Sequence, residues 1–154
     1  MRSVRNLMMW FVCLLLMVGP VLGSALDSMD ERFDQRSYRR FLLPNGLKIL
    51  LVSDPTVRKA AASLTVGVGA MSDPEMHQGL AHYLEHMLFL GTEKYPEAGE
   101  YQQFVSNRGG YTNAYTAGDH TNYHFEIDPE HLDGALDRFA QFFTAPLFST
   151  QYLE

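Results

Sequence analysis

The sequence predicts an α+β domain in which helices pack on one face of a mostly antiparallel or mixed sheet. Residues 62–70 alternate apolar with small or polar side chains, which is the period of a half-buried strand. Asn45 and Gly46 separate two apolar runs, a pattern typical of a β-hairpin. Residues 78–90 and 129–143 carry apolar side chains at helical spacing.

The first 25 residues are predicted to be a cleavable signal peptide. Arg2 and Arg5 give a positively charged start, and residues 7–18 form an apolar run that is short for a membrane span. An uncleaved anchor is the alternative. Cleavage would remove Cys13 and leave no cysteine for a disulfide. We therefore expect export to the periplasm or the cell exterior, with no stable membrane association after cleavage.

Residues 26–40 are predicted to be a flexible lead-in, and residues 41–154 a single domain. A chain of 154 residues with 46% apolar residues can bury one core. The formal net charge of -6 and the absence of a long basic run exclude a nucleic-acid groove.

The predicted strands follow the chain in order. The hairpin contributes residues 41–43 and 47–52, and the alternating segment 62–70 comes third. Residues 111–116 and 121–127 are the last two strands, joined by a short turn that contains glycine and aspartate.

The predicted helices lie between and after these strands. In residues 78–90 one apolar stripe is expected to face the core, formed by Leu80, Leu84, Met87 and Leu88. A different face, expected to look outward, carries His82, Glu85, His86 and Phe89. A second helix follows Pro96 and stops at Gly109. Asp128 is a natural N-cap for the third helix, with Pro129 as its first residue.

The first helix contains the sequence His-x-x-Glu-His. Residues three and four apart are neighbours on a helix, so His82 and His86 can bind one metal ion with Glu85 beside it. Neutral imidazole is a good zinc ligand, and a carboxylate next to the metal can serve as general base toward water. The motif is the inverzincin arrangement. It predicts a zinc site with His82 and His86 as ligands and Glu85 as the catalytic base; two solvated histidines are the alternative.

Several segments carry a resemblance to one family. Residues 79–87 (GLAHYLEHM) resemble the signature of the pitrilysin and insulin-degrading-enzyme (insulinase) family of zinc metallopeptidases. Residues 43–47 (LPNGL), 91–96 (GTEKYP) and 109–114 (GGYTNA) resemble its opening hairpin, its post-motif loop and its active-site strand. The resemblance implies a zinc-dependent metalloendopeptidase acting on peptides or unfolded polypeptides, with this sequence as its N-terminal portion and further domains in the same chain.

The resemblance also implies roles for residues outside the motif. Asn113 and Ala114 would lie on an edge strand that pairs with the substrate backbone. The third zinc ligand would be a glutamate roughly 75 to 80 residues past His86. Only 68 residues follow His86, so Glu154 comes too early for that role. The resemblance therefore implies a domain truncated at its C-terminus, lacking the third ligand and with little activity by itself.

The histidines outside the motif are predicted to be surface or solvated residues: His77, His120, His124 and His131. Two hypotheses for function stay open at this point. The first is an exported zinc endopeptidase, and the second is a non-catalytic homologue that binds peptides or a partner chain.

Overall fold

The computed structural model describes residues 35–149. The predicted signal peptide, most of the predicted lead-in and Glu154 lie outside these residues and stay predictions. The described residues divide into two compact units, residues 35–56 and residues 57–149. Between residues 35 and 149, none of the helices combines the length and apolar character that crossing a membrane requires.

The first unit is a β-hairpin. Strands β1 (Ser37–Leu42) and β2 (Lys48–Ser53) pair antiparallel, from Ser37 opposite Ser53 to Leu42 opposite Lys48. Gly46 has φ +87°, a conformation that favours glycine and explains the Asn-Gly signal. Strand β1 begins before the predicted strand, inside the predicted lead-in, because β2 continues to Ser53 and offers backbone partners for residues 37–40.

The second unit contains a three-stranded sheet. Its strands are β3 (Ala60–Val66), β4 (Tyr111–Thr116) and β5 (Thr121–Ile127), in the order β3-β5-β4. Both pairings are antiparallel, which selects the antiparallel form among those predicted. Strands β4 and β5 have the predicted bounds, whereas β3 is shifted toward the N-terminus of its predicted range.

The same unit contains three α-helices, α1 (Leu80–Leu88), α2 (Glu100–Ser106) and α3 (Leu132–Thr144). The third starts later than predicted, because residues 129–131 form a 3-10 turn. Asp128 is at the N-cap position of this turn and Pro129 is its first residue, as predicted, but the Asp128 carboxylate makes no capping hydrogen bond and instead accepts one from Lys59 Nζ at 2.8 Å.

The core lies between the helices and one face of the sheet. Strand β5 contributes Tyr123, Phe125 and Ile127, which alternate with the more polar Asn122, His124 and Glu126 of the other face. Aromatic rings fill the interior, with the rings of Tyr101 and Phe142 5.0 Å apart and those of Phe125 and Phe139 5.3 Å apart, both edge to face. Helices on one face of an antiparallel sheet confirm the predicted α+β class.

A charged cluster joins the loop after α1 to α3. Lys94 Nζ lies 2.6 Å from Asp137 Oδ2, and the Tyr95 hydroxyl donates to the same carboxylate. The hydrogen bonds from Lys94 and then Tyr95 lower the pKa of Asp137 below its usual value.

Replacing Asp137 is expected to make the stability of the domain depend less on pH in the acid range. Because the folded-state pKa of Asp137 is lowered, its contribution is fully present above the unfolded pKa of about 3.9 and is lost as pH falls through the folded value. Thermal unfolding of the parent and of Asp137→Asn between neutral pH and acid would show a gap in midpoint that narrows in this window. A gap of constant size down to the lowest pH would contradict the assignment.

Candidate active site

The histidine pair lies on the exposed side of α1. The Nε2 atoms of His82 and His86 are 3.0 Å apart, and the ring centroids are 4.7 Å apart. Two nitrogens bound at about 2.0–2.1 Å to one tetrahedral zinc are about 3.3 Å apart. The two rings therefore already converge nearly as zinc ligands do, and the pair fits this metal in both donor type and spacing.

Glu85 lies on the buried side of the same helix. Its side chain is only 7% exposed, and its Oε2 accepts a hydrogen bond from the Thr116 hydroxyl at 2.5 Å. The predicted outward orientation of Glu85 is therefore wrong, and so is the predicted burial of Leu80 and Leu84, which are 48% and 43% exposed. The predicted burial of Met87 and Leu88 is confirmed, and Ala81 and Glu85 are buried with them. Glu85 can lie in the interior because the Thr116 hydroxyl at the end of β4 gives its carboxylate a partner there.

Tyr123 of β5 lies within the electrostatic reach of this carboxylate. Burial raises the pKa of Tyr123 to about 12, and the negative charge of Glu85 adds to the effect. The phenol therefore stays neutral beside the carboxylate throughout the physiological range.

The start of α1 is capped from a distance. The helix begins after Gly79, which has φ +92° and no side chain with which to cap. The carboxylate of Asp73 accepts hydrogen bonds from the backbone N–H of Gly79 at 2.7 Å and of Ala81 at 2.9 Å. Sequence analysis missed this role, although a helix start without a Ser, Thr, Asp or Asn cap indicates that its free N–H groups need another acceptor.

Removing this cap should destabilise the domain. We expect Asp73→Ala to lower the free energy of unfolding by about 0.5–2 kcal/mol, because two N–H groups at the helix start lose their acceptor. Glu75→Ala is the matched control, since Glu75 is an exposed carboxylate in the same connection. Denaturant unfolding measures both, and equal losses in the two variants would show that charge, not capping, is responsible.

The segment that carries Asp73 is fastened to the turn between β4 and β5. The N–H of Ala70 donates to Ala117 O at 2.9 Å, and the N–H of Met71 donates to Gly118 O at 2.7 Å. A Cβ on Gly69 would lie 2.4 Å from Ala117 O, so only glycine permits this approach. The segment that carries the cap of α1 is therefore hydrogen-bonded to the β-hairpin whose strand β4 carries Thr116, the partner of Glu85.

Asn113 and Ala114 lie on β4, the strand that also carries Thr116. Asn113 is exposed on the open face of the sheet, opposite His124, and Ala114 packs against the core. Strand β4 ends the strand order, and within residues 35–149 no strand pairs with its outer edge. The backbone of Asn113 and Ala114 is thus part of an open edge on the strand whose last residue contacts Glu85.

The remaining histidines do not join the pair. His120 Nδ1 lies 2.7 Å from Asp119 Oδ1, and His124 Nδ1 lies 3.0 Å from Asn122 Oδ1. In the part of the chain that the structure describes, no group of three or more His, Cys, Asp or Glu side chains is arranged to hold a metal. Residues 35–149 therefore bring two candidate ligands together on α1, but no three-ligand set.

Comparison with known proteins decides the family. The family model for Insulinase (Peptidase family M16) matches residues 48–154. The chain belongs to this family. The resemblance seen in the motif and its flanking segments is therefore confirmed.

Individual members of the insulinase family agree with this assignment. Human insulin-degrading enzyme is 58% identical over 127 residues, and the A-factor-processing enzyme of Saccharomyces cerevisiae is 54% identical over 124 residues. These matches cover 82% and 80% of this chain, but 12% of each relative. The crystal structure of pitrilysin superimposes with a TM-score of 0.75 at 43% identity, over 78% of this chain and 13% of that chain. The chain thus spans about an eighth of the length of the curated relatives it matches.

Proposed function

We propose that this insulinase-family chain is part of a zinc-dependent metalloendopeptidase that hydrolyses peptides or unfolded polypeptides. In this proposal His82 and His86 are zinc ligands and Glu85 is the general base. The observation that carries it is the convergence of two imidazole nitrogens to 3.0 Å on the helix that also holds a buried, hydrogen-bonded carboxylate.

The chemistry divides among these side chains. When bound, zinc supplies Lewis acidity toward a peptide carbonyl and toward water. Glu85 takes a proton from the attacking water and passes it to the leaving amine, which needs no covalent intermediate. The Thr116 hydroxyl occupies one oxygen of Glu85, so the other oxygen remains available for this proton.

The open edge of β4 is a reason to propose that the substrate is a peptide. An extended peptide that adds to a sheet edge is held through its backbone, and its sequence then matters less. The edge at Asn113 and Ala114 lies on the strand that contacts Glu85 through Thr116. Strand β4 would therefore pair with the peptide backbone and, through the Thr116 hydroxyl, also bind the general base Glu85.

A catalytic zinc takes three protein ligands and one open position. His82 and His86 are two of them, so the third is expected from a residue outside 35–149. A polypeptide of residues 35–149 alone should therefore bind zinc weakly and hydrolyse peptides slowly.

The test uses the native full-length protein and an internally quenched peptide. A zinc chelator should abolish hydrolysis, and added zinc should restore it. His82→Ala and His86→Ala should lose both bound zinc and hydrolysis, whereas His77→Ala, which changes an exposed histidine outside the pair, should retain both. Hydrolysis that is insensitive to the chelator would overturn the proposal. Peptide binding without hydrolysis would favour the non-catalytic homologue.

A further inference from the structure

Thr116 is the last residue of β4 and contacts Glu85 directly. Its Oγ1 donates to Glu85 Oε2 at 2.5 Å, across 31 positions of sequence. It is half-buried on the sheet face that meets the helices. We propose that Thr116 is a positioning residue for Glu85, whose hydroxyl orients the carboxylate for proton transfer.

The carboxylate needs such a partner because of where it lies. Glu85 is 7% exposed, and a buried carboxylate without hydrogen bonds is unfavourable. The terminal torsion of glutamate is also broad, so packing of the stem leaves the carboxylate plane free to rotate. One hydrogen bond to Oε2 fixes that plane and leaves Oε1 as the acceptor.

Orientation matters because proton transfer is sensitive to distance. A general base works within about 2.6–3.2 Å of the proton's donor atom. A displacement of about 1 Å can lower the rate about 100-fold. Losing the hydroxyl of Thr116 should therefore reduce kcat, with little effect on the binding of peptide or zinc, neither of which depends on the rotation of this carboxylate.

Thr112 shows that the contact is specific to the end of the strand. Thr112 lies on the same face of β4, and its hydroxyl lies 3.0 Å from His124 O and 3.2 Å from the Tyr101 hydroxyl. These partners belong to the sheet and the core, not to the histidine pair. Thr112→Val thus makes the same chemical change on the same strand without touching Glu85.

The inference rests on the proposed function of Glu85, and the experiment separates the two. In the zinc-loaded full-length protein, Thr116→Val should lower kcat for an internally quenched peptide about 10- to 100-fold with KM within about threefold. Thr116→Ser keeps the hydroxyl and should restore kcat to within about threefold of the parent. Thr112→Val should leave kcat unchanged, and Thr116→Val should cause no further loss in a Glu85→Gln background.

A second readout needs neither zinc nor activity. In the zinc-free protein, Thr116→Val should lower the midpoint of thermal unfolding, and the shift should be clearly smaller in a Glu85→Leu background, which lacks the acceptor. Equal shifts in the two backgrounds, full kcat in Thr116→Val, or an equal loss in Thr116→Ser would each overturn the role of the hydroxyl. If Glu85→Gln itself retains full kcat, the proposed function fails instead.

Discussion

Glu85→Gln is expected to lower kcat for peptide hydrolysis by about 10²- to 10⁴-fold, the range that a general base contributes. Glutamine keeps the size of the side chain, and its amide oxygen can still accept the hydrogen bond of Thr116, but it cannot take a proton at neutral pH. Bound zinc should be retained, because His82 and His86 are unchanged. Steady-state kinetics and metal analysis of the full-length protein measure the two properties separately.

Glu75→Gln is the control for this variant. Glu75 is exposed and lies outside the helix, so the same chemical change there should leave kcat within about twofold of the parent. If Glu85→Gln keeps the full rate, another group transfers the proton. If it loses zinc together with activity, Glu85 supports the metal site rather than the proton transfer.

Phe125→Ala should lower the free energy of unfolding by about 3–5 kcal/mol, the cost of truncating a buried aromatic side chain. Phe125 is 2% exposed, and its ring lies 6.4 Å from that of Tyr101 and 5.3 Å from that of Phe139. Its removal leaves a cavity between β5 and the helices α2 and α3. The cavity cannot close unless the strand or the helices move. Urea unfolding with an unchanged m-value measures the loss.

Tyr111→Ala is the matched aromatic truncation. Tyr111 is 56% exposed on β4, on the face of the sheet that the helices leave open. Its loss should cost no more than about 1 kcal/mol. Similar values for the two variants would mean that the ring cluster around Phe125 is not the centre of stability.

The histidine pair and the last two strands could be predicted from sequence because they are determined by residues that are close together in the chain. The spacing of four residues between His82 and His86 places both rings on one side of any helix. Strands β4 and β5 are separated by a glycine-containing turn and show clear alternation, so their bounds follow from adjacent residues.

The environment of Glu85 could not be predicted in the same way. The helical pattern indicated that Leu80 and Leu84 are buried, because hydrophobicity alone ranks them above glutamate. Glu85 is nevertheless the buried residue, because its carboxylate accepts a hydrogen bond from the Thr116 hydroxyl. Thr116 is far away in sequence, and only the tertiary fold brings it to the helix. The cap from Asp73 is hidden for the same reason, since it acts across a turn and lies outside the usual N-cap position.

The turn between β4 and β5 lies at the surface, where loops ordinarily tolerate insertions and deletions. In this domain the turn and the residue before it position α1 at two places along the helix. Its carbonyls hold residues 70 and 71, and through them Asp73 at the helix start, while Thr116 just before it holds Glu85 in the helix middle. One added residue would shift the first attachment and leave the second in place, so the helix would tilt instead of moving as a whole. The length of this exposed turn is therefore restricted by packing, as the size of a core side chain is. Natural variants of the turn should differ in their side chains and not in the number of residues.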